Sequence, residues 1–479
     1  MKEKNFYITT TLPYVNAEPH IGFALEIIRA DVIARVKKIQ GYNILLNTGT
    51  DEHGMKVDRN AKALGQDTQE YVDKVSEKFR DLLSILNITG DNHFIRTTDK
   101  RHIEAAQEFW KICKNNGFIY KKNYKIKYCI GCELEKTESE LVDGKCSIHP
   151  SMIIEEINEE NYFFKFSDFQ KKLLELYEEN PDFVIPDFRF NEIKVFVERG
   201  LEDFSISRLK SKMPWGIEVP DDSDHIMYVW FDALVNYIST IGWPDDNKSF
   251  EKWWGDTMGV VQYCGKDNLR QQSAMWQAML MSVGLPPSRQ IVVDGFITGE
   301  GGIKMSKSLG NTVNPIDIVK EYGTDTLRFF VLKELHPFED SPFTIDKFKE
   351  AYNAYLANGL GNLVSRVIKM AENSDTKHNG KIKISITDEC REYYDKYEIN
   401  KVCDLIWDRI HSADKYIQEN EPFKTIKTDE KKGKEQISYL LNELSDIAIL
   451  LTPILPETSG KILNALKENK IKEALFMRK

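Results

Sequence analysis

The chain has 479 residues, of which 41% are hydrophobic and 29% charged, with a formal net charge of −10 and seven cysteines. That length exceeds one small core and predicts two to four domains of an ordinary soluble globular enzyme. An odd cysteine count without a secretory leader argues against a disulfide framework and leaves metal binding or core packing, and the acidic total does not exclude nucleic acid, which needs only a local basic groove.

Residues 1–10 carry neither an apolar signal core nor an arginine-rich transit segment, and the most apolar stretch, 437–455, is broken by Glu443 and Asp446. No bilayer span and a cytoplasmic location are expected. Residues 6–10 read as a short buried strand. Ile21, Ala24, Ile27, Ile28, Val32, Ile33, Val36 and Ile39 then recur at helical spacing until Gly41. Residues 43–49 read as a second strand, and Asp67 with Glu70 forms an N-cap pair for a helix carrying Tyr71, Val72, Val75, Phe79 and Leu83. Strand–helix–strand–helix order predicts an α/β fold, a doubly wound, parallel, Rossmann-like sheet with ligands at the carboxyl ends of its strands.

Beyond Gly117 short strands and a cysteine cluster suggest an insertion over 118–224. The α/β rhythm is expected to resume over 225–298, with strands at 226–230, 260–264 and 290–296 and a helix at 276–281. A glycine-rich loop opens the segment 299–350. Residues 351–479 read as an all-α domain, interrupted by a polar, lysine-rich connector at 424–434.

Three motifs carry chemistry. Pro19-His20-Ile21-Gly22-Phe23 lies between the first strand and first helix, where unpaired N–H groups and the helix dipole suit phosphate oxygens. Histidine can donate to a phosphate there, and Gly22 permits close approach. Lys304-Met305-Ser306-Lys307-Ser308 follows Gly299-Glu300-Gly301-Gly302, so two lysines on a glycine-hinged loop can neutralise a departing pyrophosphate. Cys129-x2-Cys132 and Cys146-x2-His149 form a zinc-knuckle pattern. Its four protein ligands predict one structural Zn2+ with no open position. Cys113, Cys264, Cys390 and Cys403 lack such spacing.

The first two motifs together resemble the signatures of class I aminoacyl-tRNA synthetases. Thr11-Leu12-Pro13-Tyr14-Val15-Asn16-Ala17-Glu18-Pro19-His20, Thr48-Gly49-Thr50-Asp51-Glu52-His53-Gly54 and Tyr228-Val229-Trp230-Phe231-Asp232-Ala233 narrow the resemblance to the methionyl-tRNA synthetase family. It implies activation of L-methionine with ATP and Mg2+, followed by transfer to tRNA(Met). His20, Gly22, Lys304, Lys307 and Ser308 would bind ATP, with His20, Lys304 and Lys307 catalytic. Asp51 would hold the α-ammonium group, and Leu12, Tyr14, Trp230, Ala233, Tyr237 and Trp276 would surround the thioether, which packs favourably on aromatic rings. The resemblance also makes 299–350 a stem-contact region and 351–479 an anticodon-binding domain, with Asn362, Arg366 and Phe423 meeting unstacked bases. Arg208 matches a family segment beside the active site.

Three departures stand out. Phe23 replaces the second histidine of the best-known first signature, Gln272 stands where some relatives have a pocket histidine, and Phe423 replaces a common tryptophan. With no oligonucleotide-binding extension after the helical domain, a monomer is expected.

Overall fold

Every residue of Asn5–Thr9 is buried, as a strand covered on both faces must be, and this run forms β1. The computed structural model describes residues 4–132, 134–136, 141–255, 259–303, 305 and 313–479. From β1 the chain passes through α1 (Ile21–Ile39) to β2 (Asn43–Thr50), then through α2 (Met55–Ala63) and α3 (Thr68–Ile85) to β3 (Asn92–Arg96) and α4 (Lys100–Asn115). The sheet order is β3, β2, β1, then Val260–Gly265, Gln290–Asp294 and Val184–Ile185. The pairings of β1 with Val260–Gly265 and of β2 with β3 are parallel. The chain winds outward from β1 and later returns on its other side. The topological switch therefore falls between β1 and Val260–Gly265, where such sheets bind ligands. Asp67 caps α3 as its sequence indicates, its Oδ1 accepting from the N–H groups of Gln69 and Glu70.

Beyond Gly117 the chain forms a long antiparallel pair. β4 (Ile119–Cys129) runs against Ile154–Phe164 in register from Ile119↔Phe164 to Cys129↔Ile154, which leaves the cysteines at its far end. The strand expected at 226–230 is different. Asp222–Met227 belongs to a separate antiparallel sheet with Ser207–Leu209 and Glu218–Val219, and Val229–Leu234 is a helix. A short apolar run without polar alternation fits a buried strand and a buried helix equally well, so only packing could separate them.

The chain packs as two compact units. One comprises Met1–Pro19, Ile44–Leu82 and Gly90–Val293; the other comprises His20–Asn43, Leu83–Thr89 and Asp294–Lys479. The core of the first is aromatic-rich, with Tyr7, Phe109, Trp110, Phe164 and Trp276 all fully buried. In the second, buried charges tie α1 to later segments. Arg29 meets Asp294 at 3.0 Å and the carbonyls of Pro337, His336 and Leu335 at 2.9–3.1 Å. Arg328 meets Asp31 at 2.7 Å and donates to the carbonyls of Ile454, Pro453 and Leu86. Paired and hydrogen-bonded in this way, the buried guanidinium groups are not left uncompensated.

The connector expected at 424–434 is helical. Pro422–Thr428 and Glu430–Leu451 meet at Asp429, whose carboxylate accepts from Lys432 N–H at 3.0 Å. The polar composition marked an exposed face and a cap, not a loop. Among the described residues no helix is long and apolar enough to cross a membrane.

Candidate active site

Asp51 follows the last residue of β2, at the carboxyl edge of the sheet. Residues 13–15 run beside it: Asp51 N–H donates to the Pro13 carbonyl and Val15 N–H to the Asp51 carbonyl, both at 3.0 Å. Tyr14 thereby lies opposite Asp51, which is 8% exposed. The two residues after Asp51, unassigned by sequence reasoning, are held from several sides. Glu52 is buried and accepts a fork from Arg96 at 2.7 and 2.9 Å, with the Thr50 hydroxyl also donating to it. Trp215 Nε1 donates to the Glu52 carbonyl at 2.6 Å. His53 Nδ1 lies 3.2 Å from a carboxylate oxygen of Asp232. Burial raises the Asp232 carboxyl above its usual range, while the charge of His53 opposes the rise. The only sequence signal for these partners was the run of three ionisable residues at a strand end.

Trp230 and Ala233 share the helix Val229–Leu234, and Tyr237 sits on Asn236–Ser239. Tyr237 and Trp276 are neighbours, with ring centroids 5.9 Å apart, and Trp276 also stacks on Phe109 and meets Trp254 edge-on. The indole nitrogens of Trp230 and Trp276 are buried with no hydrogen-bond partner among the described residues. Leu12 is buried and Tyr14 half-buried. Arg208 lies over the rings of Tyr128 and Tyr228, linking the base of the cysteine cluster to the residue that starts the Trp230 helix.

In the second unit His20 is the exposed N-cap of α1. Its Nδ1 accepts from Gly22 N–H at 3.1 Å, so the neutral ring carries its proton on Nε2. The unpaired amides anticipated at this helix start are engaged within the protein. Ile21 N–H donates to the Val313 carbonyl at 3.1 Å and Phe23 N–H to the His20 carbonyl. Gly22 makes room for the imidazole as much as for any ligand, because a Cβ there would sit 2.9 Å from His20 Cε1. Phe23 is buried, which removes it from direct contact with phosphate. Gly301 and Gly302 have φ of +71° and +77°, a conformation suited to glycine in the turn before the lysines. Lys304, Lys307 and Ser308 lie outside the described residues.

Cys129, Cys132, Cys146 and His149 come together, their ligand atoms all within 4.8 Å of one another. Cys132 Sγ is 3.5 Å from Cys146 Sγ and 3.2 Å from His149 Nδ1. A tetrahedral ion with metal–sulfur bonds of about 2.3 Å requires ligand separations of roughly 3.3–3.8 Å, so the cluster fits a metal with little movement. Gly131 clears the space, since a Cβ there would fall 2.6 Å from the His149 ring. Burial raises the Cys132 thiol. Burial acts the same way on Cys146, but N–H groups of His149 and Ile148 donate to its sulfur and bring it below its ordinary value. The four remaining cysteines, Cys113, Cys264, Cys390 and Cys403, are all buried.

In the helical part Asn362 begins the helix Asn362–Asn373 and is exposed, with Arg366 one turn on and paired to Asp414 at 2.8 Å. Phe423 is 41% exposed, unusual for a large apolar ring and suited to stacking.

Comparison with known proteins agrees with this architecture. The family model described as tRNA synthetases class I (M) matches residues 6–152 and 132–368, and the anticodon binding domain of methionyl tRNA ligase matches 372–475. Fold and matched segments thus define a class I aminoacyl-tRNA synthetase. The Methionine–tRNA ligase of Thermotoga maritima is 38% identical over 98% of this chain and 77% of its own length; that of Rickettsia bellii is 39% identical over 98% and 94%. Mycobacterium tuberculosis methionyl-tRNA synthetase in complex with methionyl-adenylate superposes with a TM-score of 0.89 at 36% identity, covering 96% of this chain and 93% of that one. The chain belongs to the methionyl-tRNA synthetase family.

Proposed function

We propose that this chain carries out the two-step reaction for which its family is named. A carboxylate oxygen of methionine attacks the α-phosphorus of ATP, the bond to pyrophosphate breaks, and methionyl-adenylate forms. A terminal hydroxyl at the 3′ end of tRNA(Met) then attacks the activated carbonyl, loses its proton, and AMP departs. Neither step needs a covalent bond to the protein, so the side chains act by positioning and by charge.

In this reading His20 offers Nε2–H to a phosphate oxygen, and Lys304, Lys307 and Ser308 close over the polyphosphate. Mg2+ arrives on the phosphate oxygens of ATP itself. Asp51 holds the α-ammonium group, while Leu12, Tyr14, Trp230, Ala233, Tyr237 and Trp276 enclose the side chain. Cys129, Cys132, Cys146 and His149 hold Zn2+, which stiffens the end of the β4 hairpin. Asn362, Arg366 and Phe423 read the anticodon. The protein acts as a cytoplasmic monomer, which light scattering would check as a single species of one-chain mass.

The observation that supports the reading most directly is the bond from Ile21 N–H to the Val313 carbonyl. It holds Val313, which lies downstream of 304–308 in the chain, beside the turn that bears His20, which supports a nucleotide shared by the two motifs. Pyrophosphate exchange into ATP tests the proposal. Wild type should exchange with methionine and much more weakly with leucine or isoleucine, and Lys307→Ala should lower the rate sharply. Equal rates for both proteins would remove Lys307 from the mechanism, and equal exchange with all three amino acids would remove methionine.

A further inference from the structure

In the second unit, the run Lys381-Ile382-Lys383-Ile384-Ser385-Ile386-Thr387 alternates polar and apolar residues with a period of two. A segment laid against helices gains most by turning its isoleucines inward. This one does so only once. Ile386 is buried, but Ile382 and Ile384 are 39% and 43% exposed, so the segment forgoes apolar burial and turns its polar side to the protein.

What that polar side faces is a cavity of about 330 Å³. Lys381, Lys383, Ser385 and Thr387 all line it, and none of the three isoleucines does. The volume lies at the lower end of ligand sites, roughly 300–1,000 Å³. Thr387 fixes one end of the segment, its hydroxyl capping the helix Asp388–Asp395 by accepting from Cys390 N–H at 3.3 Å. His378 also lines the cavity, its ring so near Gly380 that a Cβ there would fall 2.9 Å from Nε2. Arg409 of the helix Ile399–Asn420 and Asn442 and Asp446 of Glu430–Leu451 supply further wall. Three cationic side chains thus meet one carboxylate, which Arg409 already faces at 3.4 Å. Among the described residues neither Lys381 nor Lys383 has a carboxylate partner. Like charges gathered in this way repel one another, and a bound anion removes that cost.

We propose that this cavity binds a phosphate group. Lys381, Lys383 and Arg409 supply the charge, and His378, Ser385 and Asn442 supply neutral donors. Donors that converge from three separate segments suit the several oxygens of a phosphate better than the two of a carboxylate. The site is distinct from the residues assigned above to ATP, methionine, zinc and unstacked bases. Its phosphate belongs either to the backbone of a bound RNA or to a free phosphate compound. The RNA source rests on the function proposed above; the free compound does not.

The test compares Lys381→Ala/Lys383→Ala with Lys467→Ala/Lys470→Ala, which makes the same change of charge outside the cavity; all four lysines are exposed. Inorganic phosphate, titrated into the full chain at constant ionic strength, should move the ring resonances of His378 to saturation in wild type and control, and not in the cavity variant. His378→Gln assigns those resonances. In aminoacylation of tRNA(Met), the cavity variant should raise KM for tRNA about tenfold, the worth of one charge-assisted hydrogen bond. It should also reduce the slope of log KM against log salt by about one. Methionine-dependent pyrophosphate exchange should stay at the wild-type rate. A raised KM in the cavity variant alone identifies RNA as the phosphate source, whereas saturation by phosphate with an unchanged KM identifies a free compound. His378 resonances that phosphate leaves in place, with equal KM for cavity and control variants, overturn the site. A wild type that neither exchanges pyrophosphate nor charges tRNA overturns the proposed function instead, and the phosphate titration then decides the cavity by itself.

Discussion

Replacing Gly22 by alanine should separate stability from activity. A Cβ at position 22 would lie 2.9 Å from His20 Cε1 and 3.0 Å from Nδ1. Ordinary contact begins near 3.4 Å, so the ring must retreat by about half an ångström, and the 3.1 Å bond from Gly22 N–H, already long, breaks. Losing that cap costs about 1 kcal/mol, and alanine in place of glycine in a helix returns about 1 kcal/mol. The melting temperature should therefore stay within a few degrees of wild type. The reaction is more exacting. A misplacement of 1 Å can cost about a hundredfold in rate, so half of that predicts a fall in kcat of roughly tenfold. The freed ring can also exchange tautomers and lose the Nε2–H that we propose donates to phosphate. Thermal melting together with pyrophosphate exchange at saturating methionine and ATP measures both quantities. A kcat within twofold of wild type would refute the link between the cap bond and the placement of His20. A large loss of stability would show instead that the cost had been misjudged.

Gly49→Ala should destabilise by about 3 kcal/mol or more in chemical denaturation, since its Cβ would come 1.8 Å from the Ile95 carbonyl oxygen of β3, and backbone cannot rotate away; a change below about 1 kcal/mol would contradict this. Cys129→Ala should lose one equivalent of zinc by metal analysis and raise amide exchange in β4 and its partner strand, and unaltered metal content would end the ligand assignment. Burial raises the Asp294 carboxyl to about 6 although Arg29 opposes the shift, against about 4 in an unfolded chain. The folded state holds that proton more tightly, so this contribution is complete below about pH 4 and is lost as pH rises through 6. Wild type should lose up to about 2–3 kcal/mol relative to Asp294→Asn across that window, and a flat difference would show that Arg29 already neutralises the pair.

The sequence by itself determined what short-range covalent geometry controls. The apolar period from Ile21 to Ile39 set the length of α1, Asp67 set the start of α3, and the two-residue spacing in each ligand pair set the cysteine cluster, because residues within one turn or one tight loop cannot separate far. Packing decided the rest. The run from Tyr228 to Ala233 carries no period to distinguish strand from helix, and only its place after the Asp222–Met227 strand made it helical. The partners of Glu52, His53 and Tyr237 come from distant segments, as Arg96, Asp232 and Gln272. No local spacing encodes such pairs. They exist because burying a charge or an amide is tolerable only beside a complementary group, and the fold alone determines which group arrives there.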